Sequence, residues 1–93
     1  MIRIWSTHEP GATTITVDGR LVGDYVDSVQ ACVDQAMSEQ ERIQLFLRDV
    51  SHIDEAGRAL LVRLAAKGVV LRASGLYSSY VVAEITRQSE KKL

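Results

Sequence analysis

The side chains able to do chemistry crowd between Asp49 and Glu55, where Ser51, His52 and Asp54 also fall. A hydroxyl, an imidazole and carboxylates are the parts of a nucleophilic hydrolase. Those parts must converge in space, whereas neighbours on an extended segment point to opposite sides. His52 is therefore expected to be a partly buried residue and Ser51 a loop hydroxyl. Metal binding by His52, Asp54 and Glu55 lacks a clear third or fourth ligand, and the spacing fits no common site. His8 is expected in a solvated turn. The single cysteine, Cys32, falls on the apolar face of a predicted helix as a buried, inert thiol and leaves no intrachain disulfide to form. Gly19 and Gly23 complete neither a dinucleotide-binding nor a P-loop pattern. No catalytic residue, cofactor or metal is assigned, and the chain is not expected to be an enzyme.

The distinctive stretch is Ile53-Asp54-Glu55-Ala56-Gly57-Arg58-Ala59-Leu60-Leu61, where an apolar strand hands over to an apolar helix. Such a junction leaves free amide groups and side chains at the surface. With about a hundred degrees per residue, Gly57, Leu60, Leu61 and Leu64 share one side, and Glu55, Ala59, Val62 and Ala66 the other. Gly57 on the inner side lets the helix come close to the sheet. Glu55 then projects from the first turn beside a strip of small apolar residues, and Arg58 is placed to pair with it for roughly 0.2–0.5 kcal/mol. A carboxylate there also complements the helix dipole, worth about 0.3–1 kcal/mol.

The elements that position this stretch follow from periodicity. Ile2, Ile4 and Trp5 form a short strand that ends at His8-Glu9-Pro10-Gly11, a turn by composition. Thr13 to Val17 alternates as a second strand, and Asp18-Gly19 gives a bend or a bulge before Leu21. From Asp24 to Met37, Tyr25, Val26, Val29, Cys32, Val33, Ala36 and Met37 recur at helical spacing. Arg42 to Leu47 is a third strand with a tail to Ile53. The second helix spans Glu55 to Lys67, with Asp54 as N-cap and Gly68 as its stop. Val69 to Ala73 is a fourth strand, and Ser78 or Ser79 caps a last helix. The order β, β, α, β, α, β, α predicts an α/β fold. A single-layer, mainly parallel sheet of about four strands, with an antiparallel edge pair, carries the helices packed on it.

Composition agrees with one soluble domain over 1–93. The chain of 93 residues is 46% hydrophobic and 25% charged, with a net charge of −1 and both signs mixed along it. A nucleic-acid or anionic-membrane surface would need a basic stripe, so neither partner is expected. No apolar run approaches membrane-spanning length, and Met1-Ile2-Arg3-Ile4-Trp5 does not read as a signal peptide, so a cytoplasmic protein is expected. The closing Ser89-Glu90-Lys91-Lys92-Leu93 is expected to fray.

With the strand, Ile53-Asp54-Glu55-Ala56-Gly57 and the leucine-rich helix in this order, the chain resembles the STAS domain family, which includes anti-sigma factor antagonists and cytoplasmic domains of sulfate transporters. The resemblance runs from Thr13 to about Gln88. It takes in the Gly19-Arg20-Leu21 bend, the helix to Met37 and Leu71-Arg72-Ala73-Ser74-Gly75 before the last helix. The family signature is Asp-Ser-x-Gly or Asp-Thr-x-Gly at the start of the second helix. Asp54 matches its aspartate, Ala56 its free position and Gly57 its glycine. Glu55 departs from it, standing where antagonists carry the serine or threonine phosphorylated by their anti-sigma kinase. Phe46 and Val22 also stand where many members have acids.

The resemblance implies a non-enzymatic regulatory module of bacterial signalling and transcription regulation, acting by partner switching. Its protein partner would be an anti-sigma factor of the serine-kinase type, met through Asp54, Glu55, Ala56, Gly57, Arg58, Ala59 and Val62. A carboxylate brings one charge where a phosphate brings about −1.5 to −2. Glu55 then either holds a state similar to the phosphorylated one or removes the switch. The alternative is a STAS-type scaffold or subunit of a transporter or sensory complex without a sigma-factor link. Edge strands and the apolar strip leave a homodimer open.

Overall fold

A computed structural model of the chain describes residues 2–39 and 42–90, the side chains of 89 and 90 excepted. Strand β1 (Ile2–Glu9) and strand β2 (Ala12–Leu21) form an antiparallel hairpin. Its turn is Pro10-Gly11: proline presets the first corner and Gly11, at φ 78°, takes the second, as a type II turn requires. Helix α1 (Asp24–Ser38), strand β3 (Arg42–Ile53), helix α2 (Glu55–Ala66), strand β4 (Val70–Ser74) and helix α3 (Leu76–Glu90) follow. The sheet order is β1-β2-β3-β4, with β2, β3 and β4 parallel, so the predicted α/β architecture is the observed one.

Both crossovers advance in the same direction across the sheet. Right-handed connections therefore place α1 and α2 on one face, and α3 packs beside α2 against β3 and β4. Cross-strand rows divide the sheet accordingly. The row Ile4, Val17, Leu47, Ala73 faces the helices, where Val17 and Leu47 are fully buried with Ile15, Leu45, Leu60, Leu61 and Ile85. The next row, Trp5, Thr16, Phe46, Arg72, lies on the face no helix covers. Arg3, Asp18 and Arg48 share that outer face, where Arg3 pairs with Asp18 at 3.2 Å and lies 5.7 Å over the Trp5 ring.

Several boundaries differ from expectation. β1 continues through His8 and Glu9, since hairpin pairing with β2 holds both in register opposite Thr13 and Ala12. β3 is continuous to Ile53. Its pairing with β2 slips between Asp18 and Arg20, which oppose Arg48 and His52, so Asp49, Val50 and Ser51 stand against Gly19 alone. This is the bulge foreshadowed at Asp18-Gly19, with Gly19 at φ 117° and Asp49 at φ 49°. It changes the inward spacing from Ile43, Leu45, Leu47 to Val50, Ile53. β4 starts and ends one residue later than predicted. α3 begins at Leu76, so neither Ser78 nor Ser79 is its cap; the Ser78 hydroxyl instead donates back to the Ser74 carbonyl at 2.5 Å. The helix reaches Glu90, and the rest of the expected fraying end, 91–93, lies outside the described residues. Cys32 is half-buried rather than enclosed. No helix among the described residues is long and apolar enough to cross a membrane.

Candidate functional site

The junction is built around one carboxylate. Asp54, at the end of β3, has the extended backbone of an N-cap, and its Oδ1 accepts the Gly57 N–H at 2.8 Å. Its Oδ2 accepts the Gly23 N–H at 2.9 Å, from the residue preceding α1. Its own N–H donates to the Leu21 carbonyl at 3.2 Å. Asp54 therefore ties the end of β2, the start of α1 and the start of α2 to one point. The Gly23 amide, then the Gly57 amide, hold its carboxyl below the usual carboxylate range, assisted by the nearby His52 charge. Asp54 is half-buried, and both of its carboxylate oxygens are committed to structure.

Gly57 is the second fixed point. A Cβ at this position would lie 2.6 Å from the Leu21 carbonyl oxygen and 3.1 Å from side-chain carbons of Ile53 and Leu21. With Gly57, Leu60, Leu61 and Leu64 buried and Glu55, Ala59, Val62 and Ala66 exposed, α2 divides as its sequence predicts. Glu55 stands in the opening turn with its side chain in solvent, and Ala56 beside it is exposed too.

Arg58 behaves otherwise than expected. It turns away from Glu55 and pairs with Glu84 of α3, both groups part-buried. The alternative partner offers more: Glu84 sits across a packed helix seam, whereas Glu55 lies in open water where ion pairing yields little. The Arg58 guanidinium first, and then a hydrogen bond from Tyr80, hold the Glu84 carboxyl below its ordinary range. Glu55 is left without an ion-pair partner among the described residues.

His52 is exposed, not partly buried, and its ring stacks on Tyr77 with centroids 6.4 Å apart and planes 14° from parallel. Tyr77 in turn reaches the chain at the junction: its hydroxyl donates to the Ile53 carbonyl at 3.3 Å and accepts the Ile53 N–H at 3.2 Å. Ser51 is an exposed strand residue, its hydroxyl 3.4 Å from the Gly19 carbonyl, and it makes no hydrogen bond with His52. The Ser-His-acid constellation is not assembled. Among the described residues no three of His, Cys, Asp and Glu gather as a metal site.

What sequence reasoning missed is the contribution of α3. Leu76 is 95% exposed, Tyr80 66% and Tyr77 41%, an apolar and aromatic group at the start of the helix. Through Tyr77 on Ile53 and through the Tyr80–Glu84–Arg58 chain, these residues adjoin the opening of α2. The signal was in the sequence: with Ser78, Val81, Val82 and Ile85 inward, helical phase leaves Leu76, Tyr77 and Tyr80 outside. The surface so formed offers a carboxylate with no ion-pair partner among the described residues, small apolar side chains and two tyrosines, residue types found at contact surfaces. Phe46 and Val22, the other positions of interest, lie away from it and beside it respectively: Phe46 on the uncovered sheet face, Val22 next to Gly23. No protein-family model and no curated sequence matches the chain.

Proposed function

We propose that this protein is a non-enzymatic, cytoplasmic protein-binding module similar to an anti-sigma factor antagonist, with Glu55 in the phosphoacceptor position and hence no phosphorylation switch there. The supporting observation is an exposed, unpaired carboxylate in the opening turn of α2, beside exposed Ala59 and a Val62 that is 38% exposed. Apolar groups left in water around one charge are the composition of a contact surface, and nothing in the folding of a monomer requires them there. Asp54 and Gly57 serve this surface indirectly by fixing the turn; Glu55, Ala56, Ala59 and Val62 meet the partner, with Leu76, Tyr77 and Tyr80 extending the patch. Arg58 acts from its pair with Glu84, holding α2 and α3 in one frame. The partner is an anti-sigma factor of the serine-kinase type that offers a basic group to Glu55.

The test is titration of such an anti-sigma factor with wild-type protein and with Glu55→Lys and Ala59→Arg. Both substitutions are expected to weaken the complex at least tenfold, each by about 1.4 kcal/mol or more. Binding unchanged in both would refute the proposed face. A second reading, a scaffold or subunit of a transporter or sensory complex, is favoured by one fact: Glu55 has no hydroxyl for a kinase to use. Incubating Glu55→Ser with the kinase separates the two. Phosphate transfer to position 55 supports descent from a switching pair, and no transfer favours the scaffold.

A further inference from the structure

The sheet has two edges, and they are guarded differently. β4 has five residues and packs under α2 and α3, whereas β1 has eight and packs chiefly on β2. Natural edge strands are protected by lysine, proline, a bulge or a covering element, because their unpaired amide and carbonyl groups otherwise recruit another strand. β1 has no lysine and no proline, and its pairing with β2 runs through eight consecutive pairs without a slip. It is mostly exposed, and it carries Trp5, 37% exposed.

We infer that β1 is the homodimer interface of this protein: two copies join their β1 strands antiparallel about a two-fold axis through Ser6, making one continuous sheet of twice the width. The occupant is chosen by charge. The two residues of β1 that carry full charges are Arg3, near its start, and Glu9, at its end. An antiparallel copy brings Arg3 opposite Glu9 of the partner subunit, and the two-fold axis makes that pair twice. Register follows from hydrogen bonding. Alternate residues of an antiparallel strand turn their backbone groups to the same side, so partners across the axis must lie an even number of positions apart. An axis through Ser6 obeys this, with Trp5 opposite Thr7, Ile4 opposite His8 and Arg3 opposite Glu9. Axes through Trp5 or Thr7 obey it as well, but set Arg3 against Thr7 or Trp5 against Glu9 and leave charges unmatched.

Side-chain placement agrees. Arg3, Trp5, Thr7 and Glu9 all lie on the uncovered face, in rows with Asp18, Thr16, Thr14 and Ala12. The two tryptophans become diagonal neighbours across the axis, within reach of aromatic contact. Arg3 keeps donors to spare beyond the one it gives Asp18, since a guanidinium carries five N–H groups.

Sedimentation equilibrium of the full chain tests this. A concentration-dependent dimer is expected for the wild type. Arg3→Glu and Glu9→Arg, each alone, set like charges against each other twice and should raise the dimer Kd about tenfold to a hundredfold. Mixing these two variants in equal amounts should restore dimer, because every cross-axis pair in the mixed species is again of opposite sign. Ser6→Cys in a Cys32→Ser background should crosslink through its own copy on mild oxidation, and circular dichroism confirms that each variant is folded. A monomer at every concentration up to millimolar overturns the proposal and leaves the edge to a strand of another protein. A dimer indifferent to charge reversal, or one that mixing fails to restore, overturns it too.

Discussion

The carbonyl oxygen of Leu21 lies 2.6 Å from the point that a Cβ on residue 57 would occupy, and the same oxygen accepts the Asp54 N–H at 3.2 Å. The end of β2 and the first turn of α2 thus meet backbone to backbone, with room for a hydrogen atom and nothing larger. Gly57→Ala would push that oxygen away and strain the bond it accepts. Alanine is the better helix former by about 1 kcal/mol, so propensity alone predicts stabilisation. Overpacking against rigid backbone costs about 1–3 kcal/mol, and the net expectation is a loss. Urea unfolding of the variant decides between the two effects, and a higher midpoint would refute the close approach.

Asp54 should make stability depend on pH in a defined direction. Its carboxyl titrates lower in the folded chain than in the unfolded one, because the Gly23 and Gly57 amides hold the charged form. The unfolded state therefore takes up the proton first as pH falls. The contribution is complete above the ordinary carboxylate range and disappears as pH drops through the lowered folded value. Asp54→Asn should lower Tm at neutral pH, with the gap to wild type closing on acidification. A gap that is constant from neutral to acid would show that the charge is not what the two amides recognise.

Tyr77→Phe removes the hydroxyl that meets both backbone groups of Ile53 and leaves the ring that stacks on His52. A loss of about 0.5–1.5 kcal/mol is expected, as for an ordinary hydrogen bond. Hydrogen exchange should localise it, with the Ile53 amide losing protection before those of β2. An unchanged exchange rate at Ile53 would mean water replaces the phenol without cost.

Leu76→Asp and Tyr80→Ala separate folding from recognition. Both side chains are largely in solvent, so Leu76→Asp should alter stability by no more than about 0.5 kcal/mol, and Tyr80→Ala by about 0.5–1.5 kcal/mol for the hydrogen bond it gives Glu84. Both should nevertheless weaken partner binding if the patch extends from α2 onto α3. Full affinity in the pair of variants would confine the contact to α2.

The division of α2 was legible before any coordinates because one angular step per residue sorts Gly57, Leu60, Leu61 and Leu64 from Glu55, Ala59 and Val62, and burial obeys that sorting. Gly68 at φ 95° just past α2, and Asp54 before it, were legible for the same reason: caps are local chemistry. The inward phase of β3 beyond Leu47 was not. Period-two reasoning ends at Leu47, and the bulge that re-aims Val50 and Ile53 inward depends on how β2 pairs with β3. Arg58 was assigned Glu55 because that residue is near in sequence, whereas Glu84, twenty-six positions away, enters through helix packing. The second bond of Asp54, to Gly23 thirty-one positions back, was hidden for the same reason.

The uncovered face of the sheet gives the molecule an electrical asymmetry that its total charge conceals. Arg3, Arg48 and Arg72 stand there with Asp18 and Glu9, while α1, among the helices on the far side, has Asp24, Asp27 and Asp34 exposed and no basic residue. A chain of net charge −1 is therefore a dipole, and fields of that kind orient molecules before they touch. On a chromatographic support it should adhere to negatively charged beads even above its isoelectric point near 6.1, presenting the sheet to the matrix and α1 to the buffer.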